Sequence, residues 1–296
     1  MTLANTYRPT EFSDVCDQEV ICKILNKQIE SKSYSHAILF SGPAGCGKTT
    51  SARIFANKID GEIFEYDCAS HNGVADIKEI IENARVRSLI NTYKVFILDE
   101  AHTLSSQAWS AMLITLEENL PNSIFIFCTT DTQKIPNTII SRVQRFNFIP
   151  ISNNSIIDRL KFVCNNENIS IEDLALNHIA NHANGNLRQA LTDLDMCILY
   201  GELTDSNVCK VLNIVSDNIM ENLSTAYIEK NINDIINIVT SLYEHGYELH
   251  LFIKQFLNYC LNNKLDMSLI DCILTIMQDI RYDDSPKNII IARLIV

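Results

Sequence analysis

The residues best suited to chemistry lie in one short loop, from Gly42 to Thr49, which has the spacing G-x-x-x-x-G-K-T. Glycine lets the backbone turn so tightly that successive N–H groups can point at a polyphosphate. In such a loop Lys48 supplies a positive charge to the β- and γ-phosphates, and the Thr49 hydroxyl is placed for Mg²⁺. The expected nucleotide contacts are Gly42, Pro43, Ala44, Gly45, Cys46, Gly47, Lys48, Thr49 and Thr50.

The segments on either side of the loop have the pattern that phosphate binding needs. Residues 36–40 are an apolar run that predicts a buried strand, and the spacing of Ile54, Phe55 and Ile59 predicts a helix after the loop. The start of that helix adds a partial positive charge toward the phosphates. A chance Gly-Pro surface turn would lack this strand–loop–helix context, so we expect nucleotide binding.

Two adjacent acids follow another apolar run, in Val95-Phe96-Ile97-Leu98-Asp99-Glu100. Both carboxylates would lie at the C-terminal edge of a buried strand, where open parallel sheets bind ligands. Asp99 could hold Mg²⁺ through its water shell, and Glu100 could orient or deprotonate an attacking water. The pattern therefore predicts hydrolysis as well as binding. The letters D-E-A-H also mark a class of helicases, but the helical character after residue 150 argues against the second sheet domain that those proteins carry.

Three further residues are candidates for contacts with the phosphates. Thr130 ends an apolar run beside the acids and could sense the γ-phosphate, although a threonine there is often only a turn former. Arg142 lies in a stretch of low charge and is either a solvated surface arginine or a functional one. Arg188 opens a helix after a glycine break, from which its side chain could reach a phosphate.

The order of apolar runs and helical patterns predicts an α/β fold with a parallel sheet, followed by helices only. The predicted strands are Ala37–Ser41, Ile63–Asp67, Lys94–Asp99 and Ser123–Thr129. The predicted helices are Val20–Ser31, Thr49–Lys58, Val74–Val86, Ser106–Glu117, Ser155–Asn165, Ile171–Ala183, Leu187–Tyr200 and Asp205–Leu212. The predicted domains are an ATPase sheet domain at 1–152, a helical lid at 153–214 and an all-helical C-terminal domain at 215–296. Apolar stripes in the last domain predict a core, part of which could also face neighbouring subunits.

The composition excludes some classes of protein. A net charge of −12 argues against a general nucleic-acid coat, although a local basic face remains possible. No stretch reaches membrane-spanning length, and the N-terminus lacks the apolar core of a signal peptide. The ten cysteines form no C-x-x-C pair and indicate small core residues in a reducing compartment. We therefore expect a cytoplasmic protein with no membrane partner.

Taken together, these motifs resemble the clamp-loader ATPases of the AAA+ class, the bacterial DNA polymerase III gamma/tau family. The matching strings stand in family order over residues 7–200. They are Tyr7-Arg8-Pro9, the phosphate loop, Asp67-Cys68-Ala69-Ser70-His71-Asn72-Gly73-Val74, Tyr93–His102, Leu113-Ile114-Thr115-Leu116-Glu117-Glu118, Thr129-Thr130-Asp131, Lys134–Arg142 and Gly185–Leu191. Beyond residue 215 the likeness is only in helical character.

The resemblance implies roles for individual residues. Ser141-Arg142 matches the family motif whose arginine reaches in trans into the ATP site of a neighbouring subunit. Thr130 matches the first sensor and Arg188 the second sensor on the lid. Tyr7 and Arg8 match an element that packs near the nucleotide base. DNA contacts are implied more weakly, and ordinary surface charge is the alternative for each candidate: His71, Asn72, Lys78, Arg85, Arg87 and Ser105.

The resemblance also implies the cofactors, partners and reaction. It implies ATP and Mg²⁺ as cofactors, an assembly with other clamp-loader subunits (homo- or hetero-oligomeric, as a pentamer), a sliding clamp and primer–template DNA. The expected activity is a DNA-dependent ATPase within the polymerase III complex. ATP bound between subunits would open and load the clamp, and hydrolysis would release it. Two alternatives stay open, namely another AAA+ DNA motor or remodeller and a scaffold subunit that does not hydrolyse ATP.

Three features of the sequence depart from the family pattern. The four-cysteine zinc insertion of bacterial members is missing, since residues 57–61 run directly into the next strand, so no zinc is expected. Val143 replaces the cysteine after Arg142. Asp17 stands where the family has glycine before Gln18, which leaves the form of that turn open. This compact chain resembles viral clamp loaders and the small subunits of replication factor C.

Overall fold

The structure is a computed structural model that describes residues 2–88, 91–118, 120, 122–282 and 286–295. It divides into two compact units. The first contains residues 1–169 and 180–195, and the second contains residues 170–179 and 196–296. The three domains predicted from the sequence stay a prediction.

The first unit is built on a five-stranded sheet with the order β2-β3-β4-β1-β5, and every adjacent pair of strands is parallel. The strands are β1 (Ala37–Ser41), β2 (Gly61–Asp67), β3 (Tyr93–Asp99), β4 (Ser123–Thr129) and β5 (Gln144–Asn147). The four strands predicted from the sequence are all present. β5 was not predicted because it is a short edge strand in which only Phe146 is buried, so it has no continuous apolar run.

The strands are buried on both faces because helices cover both sides. In β1, Ile38 and Phe40 belong to one core and Ala37 and Leu39 to the other, as expected when successive side chains point to opposite faces. Helices α2 and α3 contribute to the first core, and α4 and α5 to the second. The α-helices of the described residues are α1 (Leu3–Thr6), α2 (Glu19–Ser31), α3 (Lys48–Lys58), α4 (Val74–Arg85), α5 (Ser106–Glu118), α6 (Asn137–Ile140), α7 (Asn153–Glu167), α8 (Asp173–Ala183), α9 (Leu187–Tyr200), α10 (Asp205–Val211), α11 (Asp217–Ile228), α12 (Ile232–Glu244), α13 (Leu249–Asn262), α14 (Met267–Asp279) and α15 (Pro286–Ile295).

Asp17 has the left-handed backbone conformation, with a φ of 57°. Its carboxylate accepts hydrogen bonds from the Ser152 backbone N–H and from the Ser155 hydroxyl, which hold the turn. Burial alone would raise the pKa of Asp17, but the bonds from Ser155 and Ser152 lower it below its ordinary value. The turn therefore forms with aspartate, because a short polar side chain tolerates this conformation.

A buried ion pair lies at the lid end of the first unit. Nδ1 of His182 lies 2.8 Å from Oδ2 of Asp193, a residue with no exposed surface. The hydrogen bond to Asp193 raises the pKa of His182 above its usual value. Gln189 donates to the other Asp193 oxygen at 2.8 Å, so the buried carboxylate is well satisfied.

The second unit is helical and has its own core, formed mainly by α11 to α15. Phe252 and Phe256 are stacked in it with ring centroids 5.9 Å apart, and Phe256 and Ile273 are fully buried. Seven of the ten cysteines are buried, as predicted for small core residues. Within the described residues, no helix combines the length and the apolar character that crossing a membrane requires.

Candidate nucleotide-binding site

The phosphate loop has a backbone that only glycine adopts easily. Gly42, Gly45 and Gly47 have φ values of 147°, 70° and 99°. A Cβ on Gly42 would lie 2.5 Å from the Phe148 carbonyl oxygen, and one on Gly45 would lie 1.7 Å from Oδ1 of Asn186. The glycines predicted from the sequence are therefore needed both for the turn and for the close packing around it.

Lys48 and Thr49 are the first two residues of α3, directly after the glycines of this loop. The Lys48 side chain is buried, and its ammonium donates to the carbonyl oxygens of Gly42 at 2.9 Å and Pro43 at 2.7 Å. The Thr49 hydroxyl donates to Oδ2 of Asp99 at 2.8 Å. A hydroxyl and a carboxylate side by side at a phosphate loop are the oxygen donors that Mg²⁺ prefers, so the residues present fit that ion.

Glu100 directly follows β3 and has the left-handed backbone conformation, with φ 49° and ψ 41°. This conformation is uncommon for a residue other than glycine and is often found at functional sites. Oε2 of Glu100 accepts a hydrogen bond from the Thr130 hydroxyl at 3.3 Å and lies 3.3 Å from Nδ1 of His102. Thr130 and His102 thus hold the carboxylate from two sides at the end of the sheet.

The N-terminal segment lies against the same site. Nε of Arg8 donates to the Thr50 hydroxyl at 3.1 Å, and burial together with the nearby charge of Arg53 lowers the pKa of Arg8. The Tyr7 hydroxyl donates to Glu167 at 2.6 Å, a bond that raises the pKa of the phenol. Arg159 donates to the Tyr7 carbonyl at 2.9 Å, so α7 fixes this segment in place.

These residues enclose a cavity of about 360 Å³ within the first unit, a size usual for a small-molecule site. Most of the predicted nucleotide contacts line it, as do several residues that were not predicted. The predicted residues in its lining are Tyr7, Arg8, Ala44, Gly45, Cys46, Gly47, Lys48, Thr49, Thr50, Asp99, Glu100 and Arg188. Gly42 and Pro43 form the base of the loop, and Thr130 touches the site through Glu100.

Arg142 is not among the residues that line this cavity. It follows α6, and its Nη2 lies 2.7 Å from Oε1 of Glu117 in an ion pair in which both side chains are substantially exposed. Its Nη1 donates to the Thr138 carbonyl at 2.8 Å. The guanidinium is thus held at the surface of its own chain, outside the cavity.

Of the candidate DNA contacts, His71, Asn72, Lys78 and Ser105 lie near the starts of α4 and α5, whereas Arg85 and Arg87 lie at the end of α4. The Ser105 N–H donates to the Asn72 carbonyl at 3.2 Å, which brings the two helix starts together. Ser105 also caps α5, because its hydroxyl accepts the Ala108 N–H at 3.2 Å. Arg85 pairs with Glu118 at 2.9 Å. His71, Lys78 and Arg87 are exposed.

Sequence reasoning did not assign a role to His102, Asn186 or Glu167. His102 stands two residues after Glu100, and such closeness in sequence could have suggested it. Asn186 caps α9, since its Oδ1 accepts the Gln189 N–H at 3.1 Å, and it also covers Gly45. Glu167 is 160 residues from Tyr7, so only the tertiary structure brings the two together.

Two protein-family models match the chain. Residues 38–151 match the family described as ATPase family associated with various cellular activities, and residues 158–199 match the RCF1/5-like AAA+ ATPase lid domain. The parallel sheet, the phosphate loop and the helical lid therefore define an AAA+ protein.

Curated relatives narrow this class. The chain is 35% identical to the DNA polymerase III subunit tau of Bacillus subtilis over 87% of its own length and 50% of the relative's. It is 28% identical to the DNA polymerase III subunit gamma of Buchnera aphidicola over 97% of its own length and 84% of the relative's. The chain belongs to the DNA polymerase III gamma/tau family. It spans about half the length of the Bacillus subtilis subunit and of the Mycoplasma genitalium gamma/tau subunit, of which it covers 47%.

Solved structures show the same fold at lower identity. The RuvB Holliday junction branch migration motor of Thermotoga maritima has a TM-score of 0.61, is 19% identical, and covers 87% of this chain and 91% of its own. A variant of that protein has a TM-score of 0.60 at 18% identity, over the same shares of the two chains. These likenesses establish the AAA+ fold and nothing about substrate.

Proposed function

We propose that this chain is an ATP-hydrolysing subunit of a sliding-clamp loader that acts on primer–template DNA. The observation that carries the proposal is the division of the catalytic groups. Lys48, Thr49, Asp99 and Glu100 meet in one chain at the cavity, whereas Arg142 is held outside it at the surface. A site completed by a neighbouring subunit would have this arrangement.

The chain's own residues account for binding and for water activation. The loop N–H groups and Lys48 would bind the β- and γ-phosphates of ATP, with Arg188 reaching the phosphates from the lid. Thr49 and Asp99 would hold Mg²⁺, which supplies positive charge to the phosphates when bound. Tyr7 and Arg8 would lie near the base. Glu100 would orient water and take its proton as the water oxygen bonds to the γ-phosphorus and ADP leaves.

The contacts of Glu100 suggest how its carboxylate is oriented. Thr130 and His102 both contact Oε2 of Glu100, which ties the orientation of this carboxylate to the position of Thr130, and its other oxygen, Oε1, would accept the proton from water. Thr130 would therefore act as the first sensor, coupling the γ-phosphate to the position of Glu100.

In an oligomer Arg142 would reach an ATP site of a neighbouring subunit. Across a subunit interface its guanidinium would neutralise the charge that develops on the transferred phosphoryl group. To do so, it must leave Glu117 and contact the phosphate bound by the neighbouring subunit. The partners would be other loader subunits, of the same or different sequence in a pentamer, together with the clamp. Primer–template DNA would follow the paired starts of α4 and α5, because helix N-termini can contact a phosphate backbone without reading its sequence.

Other AAA+ functions make different predictions. The RuvB-like fold would equally suit a branch-migration motor, and a scaffold subunit would bind ATP without turnover. The similarity to gamma/tau subunits over most of the chain favours clamp loading over the motor. The acids Asp99 and Glu100 beside the phosphate loop favour turnover over a scaffold.

The decisive experiment measures ATP hydrolysis by the full chain, alone and with the sliding clamp, primed DNA and partner loader subunits of the same organism. We expect slow hydrolysis by the isolated chain and strong stimulation by clamp and primed DNA together. This stimulation should weaken steeply as the salt concentration rises, because contacts with DNA phosphates release counterions. Stimulation by a four-way junction but not by primed DNA and clamp would favour the motor. Tight ATP binding with no turnover under any condition would favour the scaffold.

A further inference from the structure

Three side chains of different chemistry meet in the second unit, in a place that the proposed function does not use. A ring nitrogen of His178, a carboxylate oxygen of Asp205 and the sulfur of Cys209 all lie within 4.8 Å of one another, and each residue is half-buried. All three belong to the second unit, whereas the residues that line the nucleotide cavity belong to the first. The cluster therefore needs an explanation of its own.

The local fold fixes the positions of these three residues. Asp205 and Cys209 are one turn apart on α10, so their side chains share a face of that helix. His178 lies on α8. The chain before α8 is tied to the chain before α10, because Ile171 and Leu203 form a parallel bridge and the Glu172 N–H donates to the Leu203 carbonyl at 3.2 Å.

The second tie holds the start of α10 directly. The Asp205 backbone N–H donates to Oε2 of Glu172 at 2.7 Å. The two elements that carry the cluster are thus tied to each other by the bridge, by a backbone hydrogen bond and by the Glu172 side chain. These ties set the spacing of the helix positions from which the partly exposed side chains of the cluster extend.

The hydrogen bonding within the cluster is incomplete. Oδ1 of Asp205 is buried and has no hydrogen-bond partner of acceptable geometry, although Nε2 of His178 is only 3.0 Å away. The approach of the two groups therefore leaves this carboxylate oxygen without a hydrogen bond. A buried acceptor left in this way costs free energy unless something satisfies it.

A cation between the three groups would satisfy it. We propose that His178, Asp205 and Cys209 form a binding site for a transition-metal ion of the zinc class, with the fourth position open to water. Imidazole, carboxylate and thiolate are the three ligand types that proteins offer to zinc. One thiolate and one carboxylate would balance the charge of a divalent ion.

The geometry requires only a small adjustment. Ligand bonds of about 2.0 to 2.3 Å at tetrahedral angles place ligand atoms about 3.5 Å apart. The observed separations are at most 4.8 Å, so side-chain rotations that move an atom by about 1 Å would close the site around an ion.

This site is distinct from the place at which bacterial members of the family carry a four-cysteine zinc insertion. That insertion would lie between α3 and β2, whereas this cluster joins α8 to α10. An ion bound by this cluster would link the start of α10 to α8 and stabilise the second unit, because an ion that binds only the folded state raises the stability of that state.

The test uses the full chain, which is freed of metal by a chelator and then titrated with Co²⁺. Excess Mg²⁺ is present throughout, so that it occupies the oxygen site at Thr49 and Asp99. A thiolate-to-cobalt charge-transfer band should appear at one equivalent and should be lost on adding Zn²⁺. Thermal unfolding should shift upward with Zn²⁺ in the same preparation.

Matched variants decide which thiol is responsible. Cys209→Ser should lose the band and weaken Zn²⁺ binding by about tenfold or more, and His178→Gln should weaken it similarly. Cys272→Ser, which changes another half-buried cysteine of the same unit, should bind as the unaltered chain does. Circular dichroism verifies that each variant is folded. No band with the unaltered chain, or an equal band in Cys209→Ser, would overturn the proposal.

Discussion

Replacing Arg142 by alanine separates its role in this chain from its role in the assembly. Within the chain the arginine makes an ion pair with Glu117 in which the side chains are 38% and 53% exposed. Such exposed pairs contribute about 0.2–1 kcal/mol. The substitution should therefore lower the free energy of unfolding by no more than about 1 kcal/mol. It should also leave ATP affinity unchanged, because Arg142 is not among the residues that line the cavity.

Across an interface the same guanidinium would be worth far more. An arginine supplied in trans to a phosphoryl-transfer site raises the rate by about 10³–10⁵, which is about 4–7 kcal/mol of barrier. Stimulated hydrolysis by the assembly should fall by this factor in Arg142→Ala. Glu117→Gln is the matched control, since it removes the ion pair but keeps the arginine, and it should retain hydrolysis within severalfold.

Mixing two inactive variants tests the trans arrangement directly. In Glu100→Gln subunits the proposed water-activating group is lost, and in Arg142→Ala subunits the arginine proposed to act in trans is lost. In a homo-oligomer formed from equal amounts of both variants, about a quarter of the ATP sites should be active. In that fraction of the interfaces, a subunit with an intact Glu100 meets a neighbour with an intact Arg142. Sedimentation verifies that mixed oligomers form. If mixing restored no activity, or if Arg142→Ala alone hydrolysed ATP at the full rate, the reasoning would be refuted.

Three further changes test the rest of the site and the lid. Glu100→Gln should keep ATP binding and slow single-turnover hydrolysis by about 10²–10⁴; an unchanged rate would show that another group activates water. Gly45→Ala should weaken ATP binding by about tenfold or more, because of its positive φ and the contact with Asn186. Gly246→Ala, at a similar φ with no atom nearby, should bind ATP normally in the same titration. Replacing His182 by asparagine should cost stability that is fully present below about pH 6.5 and is lost as pH rises through the raised pKa of the histidine. Urea unfolding of both proteins across this range checks the sign, and a difference that grew with pH would contradict it.

Local patterns predicted most of the sheet domain. β1 and β4 were predicted with the bounds that the structure gives, because strands buried on both faces are continuous apolar runs that end at polar residues. α9 was predicted with its observed bounds because the Gly185-Asn186 break marks its start. β5 escaped prediction because pairing with β1, and not its own composition, makes it a strand.

The phosphate-loop residues share one segment, so their spacing alone predicts the nucleotide site. The loop N–H groups, the Lys48 ammonium and the Thr49 hydroxyl all come from residues 42–50, so no distant partner is needed to recognise the motif. Asp99 and Glu100 were found because the ends of parallel strands meet at one edge of the sheet. Their residue types and their place after an apolar run carry that information locally.

Only the tertiary structure decided which distant groups touch. It brought Thr130 to Glu100, Asn186 to Gly45 and Glu167 to Tyr7. It also paired Arg142 with Glu117 outside the cavity. Such contacts depend on how helices and strands pack. Short stretches of sequence do not show which side chains far apart along the chain will touch. The sequence by itself therefore predicted the ligand class and determined the fold, and the packing decided how the candidate site residues are held.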